Sequence, residues 1–334
     1  MKSNITIKDV AMYANVSPAT VSLVINNRSG VSTETKNKVL FAINKLNYKP
    51  NQAARNLIMQ RPSAIGLVVT NIENPFYSEL IHYVQEEVDN TEYSLLLGIS
   101  NDSVKKEIKA IEDMVTRDVG GLIIVPSRDG EDNLHHLYAL KELQIPFVFI
   151  TSAYNGIQSD CIMSDLEKGM YDATMYLLRK NKRKIYFITE KRILRLSEDR
   201  IRGYIRAYKE CDLKYNDEYI IETNPTVESG IKITQKILEH DTPDAIITVN
   251  ALLSLGVMKC IKDKELSVPE NISVICFDEL SYSSLLYTPI TTVKQPLYEI
   301  CHQAVSLLCS RIDGNDEPYK TQYYPTEMII RHSS

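Results

Sequence analysis

Two groups of side chains in this 334-residue chain have the types and spacing to do chemistry. The first lies near the start. Thr6, Ser17, Thr20, Ser22, Asn26, Tyr48 and Asn51 carry hydroxyls or amides, and residues 1–61 hold nine Lys/Arg against two Asp/Glu, net +7. Cations that neutralise phosphates, with hydroxyl and amide donors among them, make a surface suited to a nucleic-acid backbone. The remaining residues hold 29 basic and 41 acidic side chains, net −12. A basic module on an acidic body is the footprint of a phosphate-binding head.

The second group is dispersed: Phe76, Tyr77, Ser127, Asp165, Arg200, Asn250, Asp278 and Gln295. Each falls at an expected strand end or at the start of the next helix, where open α/β sheets bind ligands. Phe76 and Tyr77 offer rings for stacking. Arg200 offers a fork of donors that grips hydroxyl or carboxylate oxygens. That is chemistry for holding a polar small molecule.

Catalysis finds no such support. The six His (82, 135, 136, 240, 302, 332) fall on helices or termini, beside no nucleophile signature. No phosphate-cradling or nucleophile-elbow glycine motif is present. Adjacent His135 and His136 diverge by about 100° on a helix and are expected on a solvated face. The six Cys are far apart, with no metal-ligand spacing, and read as reduced buried residues. Residues 1–10 carry charges instead of a secretory apolar segment, and no apolar run is long enough for a membrane. The expectation is a cytoplasmic binding protein with no metal, no cofactor and no enzymatic activity.

The elements that position the first group are short helices. Thr6 caps one that carries Ile7, Val10 and Ala11, with Asp9 at its third position. Asn15 suits the left-handed turn that follows. Ser17 caps a second, with Pro18 at its first position, where a missing N–H costs nothing, and Val21, Val24 and Ile25 on its apolar face. Helix, tight turn, helix is a DNA-binding layout. A third helix over 32–46 turns Val39, Leu40, Ile43 and Leu46 inward and stops at Asn47-Tyr48-Lys49-Pro50. Residues 51–57 form a short helix candidate with small residues such as Ala54 on one side. Leu57 is exposed there, with little reason to exist in a monomer.

From residue 64 the pattern alternates. Strands are expected at 65–69, 93–99, 121–125 and 146–150, with helices at 75–90, 104–117 and 134–143. A second round has strands at 184–188, 219–222, 245–249 and 273–277, with helices at 168–179, 197–210, 227–239 and 252–262. Residues 291–293 read as a strand crossing back to the first round, 296–312 as a helix there, and 322–330 as a final strand pair. The class is α/β, with two doubly wound Rossmann-like subdomains behind a helix-turn-helix head.

At this point the chain resembles the LacI/GalR family of bacterial transcription regulators. The residues that carry this are Thr6-Ile7-Lys8-Asp9-Val10-Ala11, Ala14-Asn15-Val16-Ser17, Thr20-Val21-Ser22, Val24-Ile25-Asn26, Leu46-Asn47-Tyr48-Lys49-Pro50-Asn51 and Ala54-Arg55-Asn56-Leu57. Echoes continue in Asn74-Pro75-Phe76-Tyr77, Arg200-Ile201-Arg202-Gly203-Tyr204, Phe277-Asp278 and 288–296. The resemblance implies a core like a periplasmic sugar-binding protein, a homodimer on double-stranded operator DNA and a small-molecule effector, carbohydrate in type, in a cleft between lobes. It implies that Pro18, Ala19 and Leu23 face base edges, and that Leu57 wedges into the minor groove from a paired hinge helix. The expected limits are 1–50 for the head, 51–62 for the hinge and linker, 63–161 with 292–320 for one lobe, and 162–291 with 321–334 for the other. A second reading keeps the regulator but places its core under a protein partner.

Departures from the family pattern matter. Leu23 cannot hydrogen-bond a base and can meet only a thymine methyl or pack sterically. Thr151 stands where relatives often have Asp, and Asn250-Ala251 where they have Asn-Asp. The loop Lys191-Arg192-Ile193-Leu194-Arg195 is basic and bulky. Either the effector is a sugar with fewer bound hydroxyls, or it carries negative charge.

Overall fold

The structure, a computed structural model, describes residues 5–25, 30–48, 62–127, 134–192, 195–280 and 282–334. The chain divides into two compact units, Met1–Ser63 and Ala64–Ser334. Among the described residues, no helix is long and apolar enough to cross a membrane.

Among the described residues, the first unit packs three helices, α1 (Ile7–Ala14), α2 (Pro18–Ile25) and α3 (Thr33–Leu46). Their shared core is Val10, Ala11, Ala14, Val21, Val24, Val39 and Ala42. Burying each valine here is worth about 1.5–3 kcal/mol, which holds together helices too short to be stable alone. Asn15 and Asn47 take left-handed backbone at the ends of α1 and α3, the conformation that ends a helix most cheaply at Gly or Asn. Leu40 corrects the expected inward face of α3. It is 41% exposed, and Ala42 is buried instead. Ala42 and Val39, three residues apart, share the covered face of α3, and Leu40 lies off it.

The second unit holds two six-stranded sheets. The first has the order β11-β5-β4-β3-β1-β2, all pairs parallel. Its strands are β1 (Ala64–Val69), β2 (Ser94–Ile99), β3 (Val119–Ile124), β4 (Phe147–Ile150), β5 (Asp160–Ser164) and β11 (Thr321–Tyr324). The second repeats the order with β12 (Glu327–Ile329), β10 (Thr291–Lys294), β9 (Ser273–Phe277), β8 (Ala245–Thr248), β6 (Ile185–Thr189) and β7 (Ile220–Glu222). Only its β10–β12 pair is antiparallel. Strands covered on both faces, such as β1 and β9, are buried throughout and read as unbroken apolar runs. Helices Pro75–Asp89 and Leu297–Ile312 supply the apolar cluster on one face of the first sheet, and Val104–Val115 and His135–Glu142 supply that on the other.

Sheet membership corrects the expected lobe limits of 63–161 with 292–320 and 162–291 with 321–334. β5 pairs with β4 and β11 through Ser164 and stays in the first lobe. β10 does not cross back: it pairs with β9 and stays in the second. The expected final strand pair is divided, β11 joining the first sheet and β12 the second. The lobes are therefore 64–164 with 297–324, and 166–294 with 327–334. The expected limits would cut β5 and its ladder in two, and every buried N–H and C=O in that ladder needs its partner.

Candidate functional site

In the head, Ser17 precedes α2 and Thr20 and Ser22 lie within it, while Thr6 precedes α1 and Tyr48 follows α3. Ser17 Oγ accepts a hydrogen bond from the Thr20 N–H at 3.1 Å and lies 2.9 Å from Thr20 Oγ1. That cap satisfies an orphan helix donor and turns Ser17, Pro18 and Ala19 outward, all exposed. Thr20, Ser22 and Leu23 are half-buried, and Val21 and Val24 are sealed beneath them. Thr6 is exposed, and its N–H and Oγ both donate to Asp9 Oδ2 at 2.7 Å, holding that carboxyl below its ordinary pKa. Tyr48 packs against the head's core. Asn26, Asn51, Ala54 and Leu57 lie outside the described residues.

In the core unit, the C-terminal strand ends of the two sheets face each other across a nearly closed cleft. One cavity of about 40 Å³ is lined by Phe76, Tyr77, Arg200, Asn250, Asp278 and Gln295, with Thr151, Glu190 and Leu196 among their neighbours. These are six of the eight residues expected for the effector. Ser127 lines an adjoining cavity of similar volume, with Tyr154 and Arg195. Asp165 lines neither. It caps helix Leu166–Arg179, accepting from the Lys168 N–H at 2.9 Å, and faces an outer vestibule of about 850 Å³.

Arg200 is 6% exposed, and its guanidinium lies 4.7 Å from the Phe277 ring centroid. Its Nε has no hydrogen-bond partner. Burial pulls it below the ordinary arginine pKa, while Asp278 and Glu190 oppose the shift. Asp278 accepts from Gln295 Nε2 at 2.6 Å. Burial pushes its carboxyl up to about 6, with Arg200 and Gln295 pulling it down. Asn250 caps helix Ala251–Asp263 through the Leu253 N–H and donates to Pro225 O. Thr151 and Asp278 both have positive φ, 67° and 69°. That conformation is costly for a β-branched residue and tends to gather at ligand sites.

The wall behind Ser127 was not legible in advance. Glu107 is fully buried. It accepts from the Ser127 N–H at 2.7 Å and Tyr154 OH at 2.8 Å, and lies 3.0 Å from His136 Nε2. Ser127 Oγ donates to Ser100 Oγ at 2.7 Å. His136 corrects the solvated-face expectation, because it is 3% exposed. The signal was the buried stripe Val104, Glu107, Ile111 and Met114, where an acid occupies an apolar position. The basic loop also resolves into separate roles. Arg192 pairs with Asp217 and Glu222 and donates to Ile220 O, bracing β7, while Arg195 lines the cleft.

The model for bacterial regulatory proteins of the lacI family matches residues 6–51, and that for a periplasmic binding protein-like domain matches residues 174–334. The HTH-type transcriptional repressor PurR of Pasteurella multocida (strain Pm70) is 34% identical over 98% of both chains. The chain belongs to the lacI family of bacterial regulatory proteins. Catabolite control protein A of Priestia megaterium is 33% identical to this regulator over 99% of each chain. The lac repressor dimer bound to operator and the anti-inducer ONPF superposes with a TM-score of 0.87 at 25% identity, covering 99% of each chain. The family consists of transcriptional regulators, so this LacI-family chain is a DNA-binding regulator and not an enzyme. Its head is the DNA-binding module and its core the periplasmic-binding-protein-like fold.

Proposed function

We propose that this regulator represses transcription as a homodimer on near-palindromic operator DNA, and that a neutral sugar or sugar derivative in the cleft sets its affinity. The observation that carries the effector reading is the buried set Arg200, Asp278 and Gln295. It presents donors and acceptors together in the crevice where such sheets bind ligands. Phe76 and Tyr77, T-shaped at 5.1 Å, add apolar rings on the opposite wall. Arg200 and Arg195 are matched there by Asp278 and Glu190. With Arg192 committed elsewhere, the balance favours a neutral ligand over an anion.

In the head, Pro18, Ala19 and Leu23 meet base edges, while Thr6, Ser17, Thr20, Ser22 and Tyr48 hold phosphates or the head's register. Asn26, Asn51, Ala54 and Leu57 extend that contact in this reading. The homodimer finds support in the lac repressor, solved as a dimer on operator. Leu285 and Tyr287, 81% and 100% exposed on the second lobe, offer apolar surface for it. Effector shifts occupancy only by its differential affinity for the DNA-bound and free states.

The test has two arms. Selection from genomic fragments should recover a sequence-preferring, salt-sensitive complex, and calorimetry should find a neutral sugar that alters it. Tight binding of sugar phosphates or uronic acids in place of neutral sugars would reverse the charge assignment. An empty cleft beside a protein recovered by pulldown would replace the metabolite with a partner.

A further inference from the structure

The connection that follows β4 carries two neighbouring residues able to react with each other. Asn155-Gly156 is the only Asn-Gly step in the chain. Both residues are exposed, in a turn between two buried anchors. On one side is Tyr154, 4% exposed, whose hydroxyl donates to Glu107 Oε2 at 2.8 Å. On the other is Ile157, which packs in the same apolar cluster as Tyr154. The anchors fix the base of the turn and leave its tip in water, where exposed small and polar residues are most open to chemical change.

Gly156 has φ 80°, and a Cβ built on it would meet nothing within 4 Å. Glycine takes that backbone without strain and leaves the space beside its nitrogen open. Among the described residues, no acceptor holds the Gly156 N–H. Asp313-Gly314, the other described step of this kind, differs. Its Gly314 N–H donates to Arg311 O at 3.0 Å and is tied down.

We propose that Asn155 is a site of spontaneous covalent modification, where an amide becomes a carboxylate at the rim of the cleft. The Gly156 nitrogen gives its proton to solvent and forms a bond to Asn155 Cγ. The Cγ–Nδ2 bond breaks, and that nitrogen takes up a proton and leaves as ammonia. The product is a cyclic imide, which one water opens. Opening at the side-chain carbonyl gives aspartate. Opening at the main-chain carbonyl gives the isoaspartyl link, which runs the chain through the side chain. No oxidant or reductant takes part. Asn155 lines the outer vestibule, where four Lys/Arg and four Asp/Glu stand among the described residues. The reaction adds a fifth carboxylate and tips that rim to net negative, against anions.

The experiment ages the full chain at mildly alkaline pH, beside the same chain unfolded in guanidinium chloride, in water labelled with heavy oxygen. Mass spectrometry with electron-transfer fragmentation separates aspartyl from isoaspartyl product. The expected result is both products at residue 155 in the folded chain, at a rate close to that of the unfolded one, with heavy oxygen in the new carboxyl group. Isoaspartyl product at residue 313 should be confined to the unfolded chain. Gly156→Ala should lose the product at residue 155. Because alanine strains the turn at that φ, Asn155→Gln is the second variant; it sets the amide carbon one bond farther away and should lose the product too. Product at residue 155 in the unfolded chain alone, or in neither, would overturn the proposal, as would an equal yield from Asn155→Gln. A calorimetric failure to find any sugar ligand leaves either result standing.

Discussion

Gln295 Nε2 donates to Asp278 Oδ1 at 2.6 Å, and both residues are 7% exposed. The pair follows β10 and β9, two neighbouring parallel strands. Their shared C-terminal end therefore carries a carboxylate kept from solvent but not fully neutralised. That carboxylate costs stability in the free protein and is available to a ligand hydroxyl.

The cost has a pH signature. The Asp278 pKa is raised from 3.8 to about 6 on folding, so between those values the folded state binds more protons than the unfolded one. Its contribution to stability therefore falls as pH rises from about 4 to about 6. Relative to the parent, Asp278→Asn should gain up to about 3 kcal/mol at pH 7, a gain that shrinks towards zero near pH 4. Thermal unfolding of the two proteins across that range checks it; a difference independent of pH would refute it. The same substitution should weaken effector binding at pH 7.

Glu107 is a buried acid whose two oxygens meet three partners. Glu107→Ala removes the acceptor that the Ser127 N–H and Tyr154 OH share, leaving them only each other at 2.9 Å and the Ser127 carbonyl at 3.1 Å, and opens a cavity beside His136; it should cost about 2–5 kcal/mol. Glu107→Gln keeps the shape and should cost less. Urea unfolding measures both, and equal costs would show that the carboxylate, lost in both variants, matters here more than the volume that only Gln retains.

Gly203 sits where helix Arg195–Glu210 crosses helix Leu166–Arg179. A Cβ there would lie 2.1 Å from Glu167 O and 2.9 Å from Tyr171 N, both backbone. Helix backbones cannot give by that much, so Gly203→Ala should push the helices apart and cost about 3 kcal/mol or more. It should also displace Arg200, one turn earlier, and lower effector affinity. Unaltered urea midpoints would contradict the crossing.

Leu23 has no polar atom to offer a base edge. Leu23→Arg should move the preferred base at one position of each half-site towards guanine, with about 1–3 kcal/mol of discrimination. Sequencing of oligonucleotides selected by each protein checks it. An unchanged preference would mean that Leu23 does not face the groove.

Much of this molecule is legible along the chain. Cap residues such as Ser17 and Asn250 sit where their short polar side chains satisfy helix donors. Apolar periodicity marked nearly every strand and helix of the core. The rule that ligands gather beyond strand ends named Arg200, Asp278 and Gln295, and the three line one cavity. Such features arise from interactions within a few residues, and local sequence encodes them directly.

Other features depend on partners far away. β5 carries Asp160 and hides a strand signal until Arg311, from 151 residues later, binds that carboxylate at 2.7 Å. Nothing in Thr291–Lys294 says which sheet it joins, because a short β-branched strand pairs equally well in either. Leu40 and His136 exchange their expected exposures because neighbouring helices decide which side of each is covered. Sequence alone determined most of the elements and the strand ends whose residues line the cleft. Tertiary structure decided which strand joined which sheet, which charges were sealed, and how tightly the lobes closed, because each of those depends on the desolvation of groups that meet only after the chain has folded.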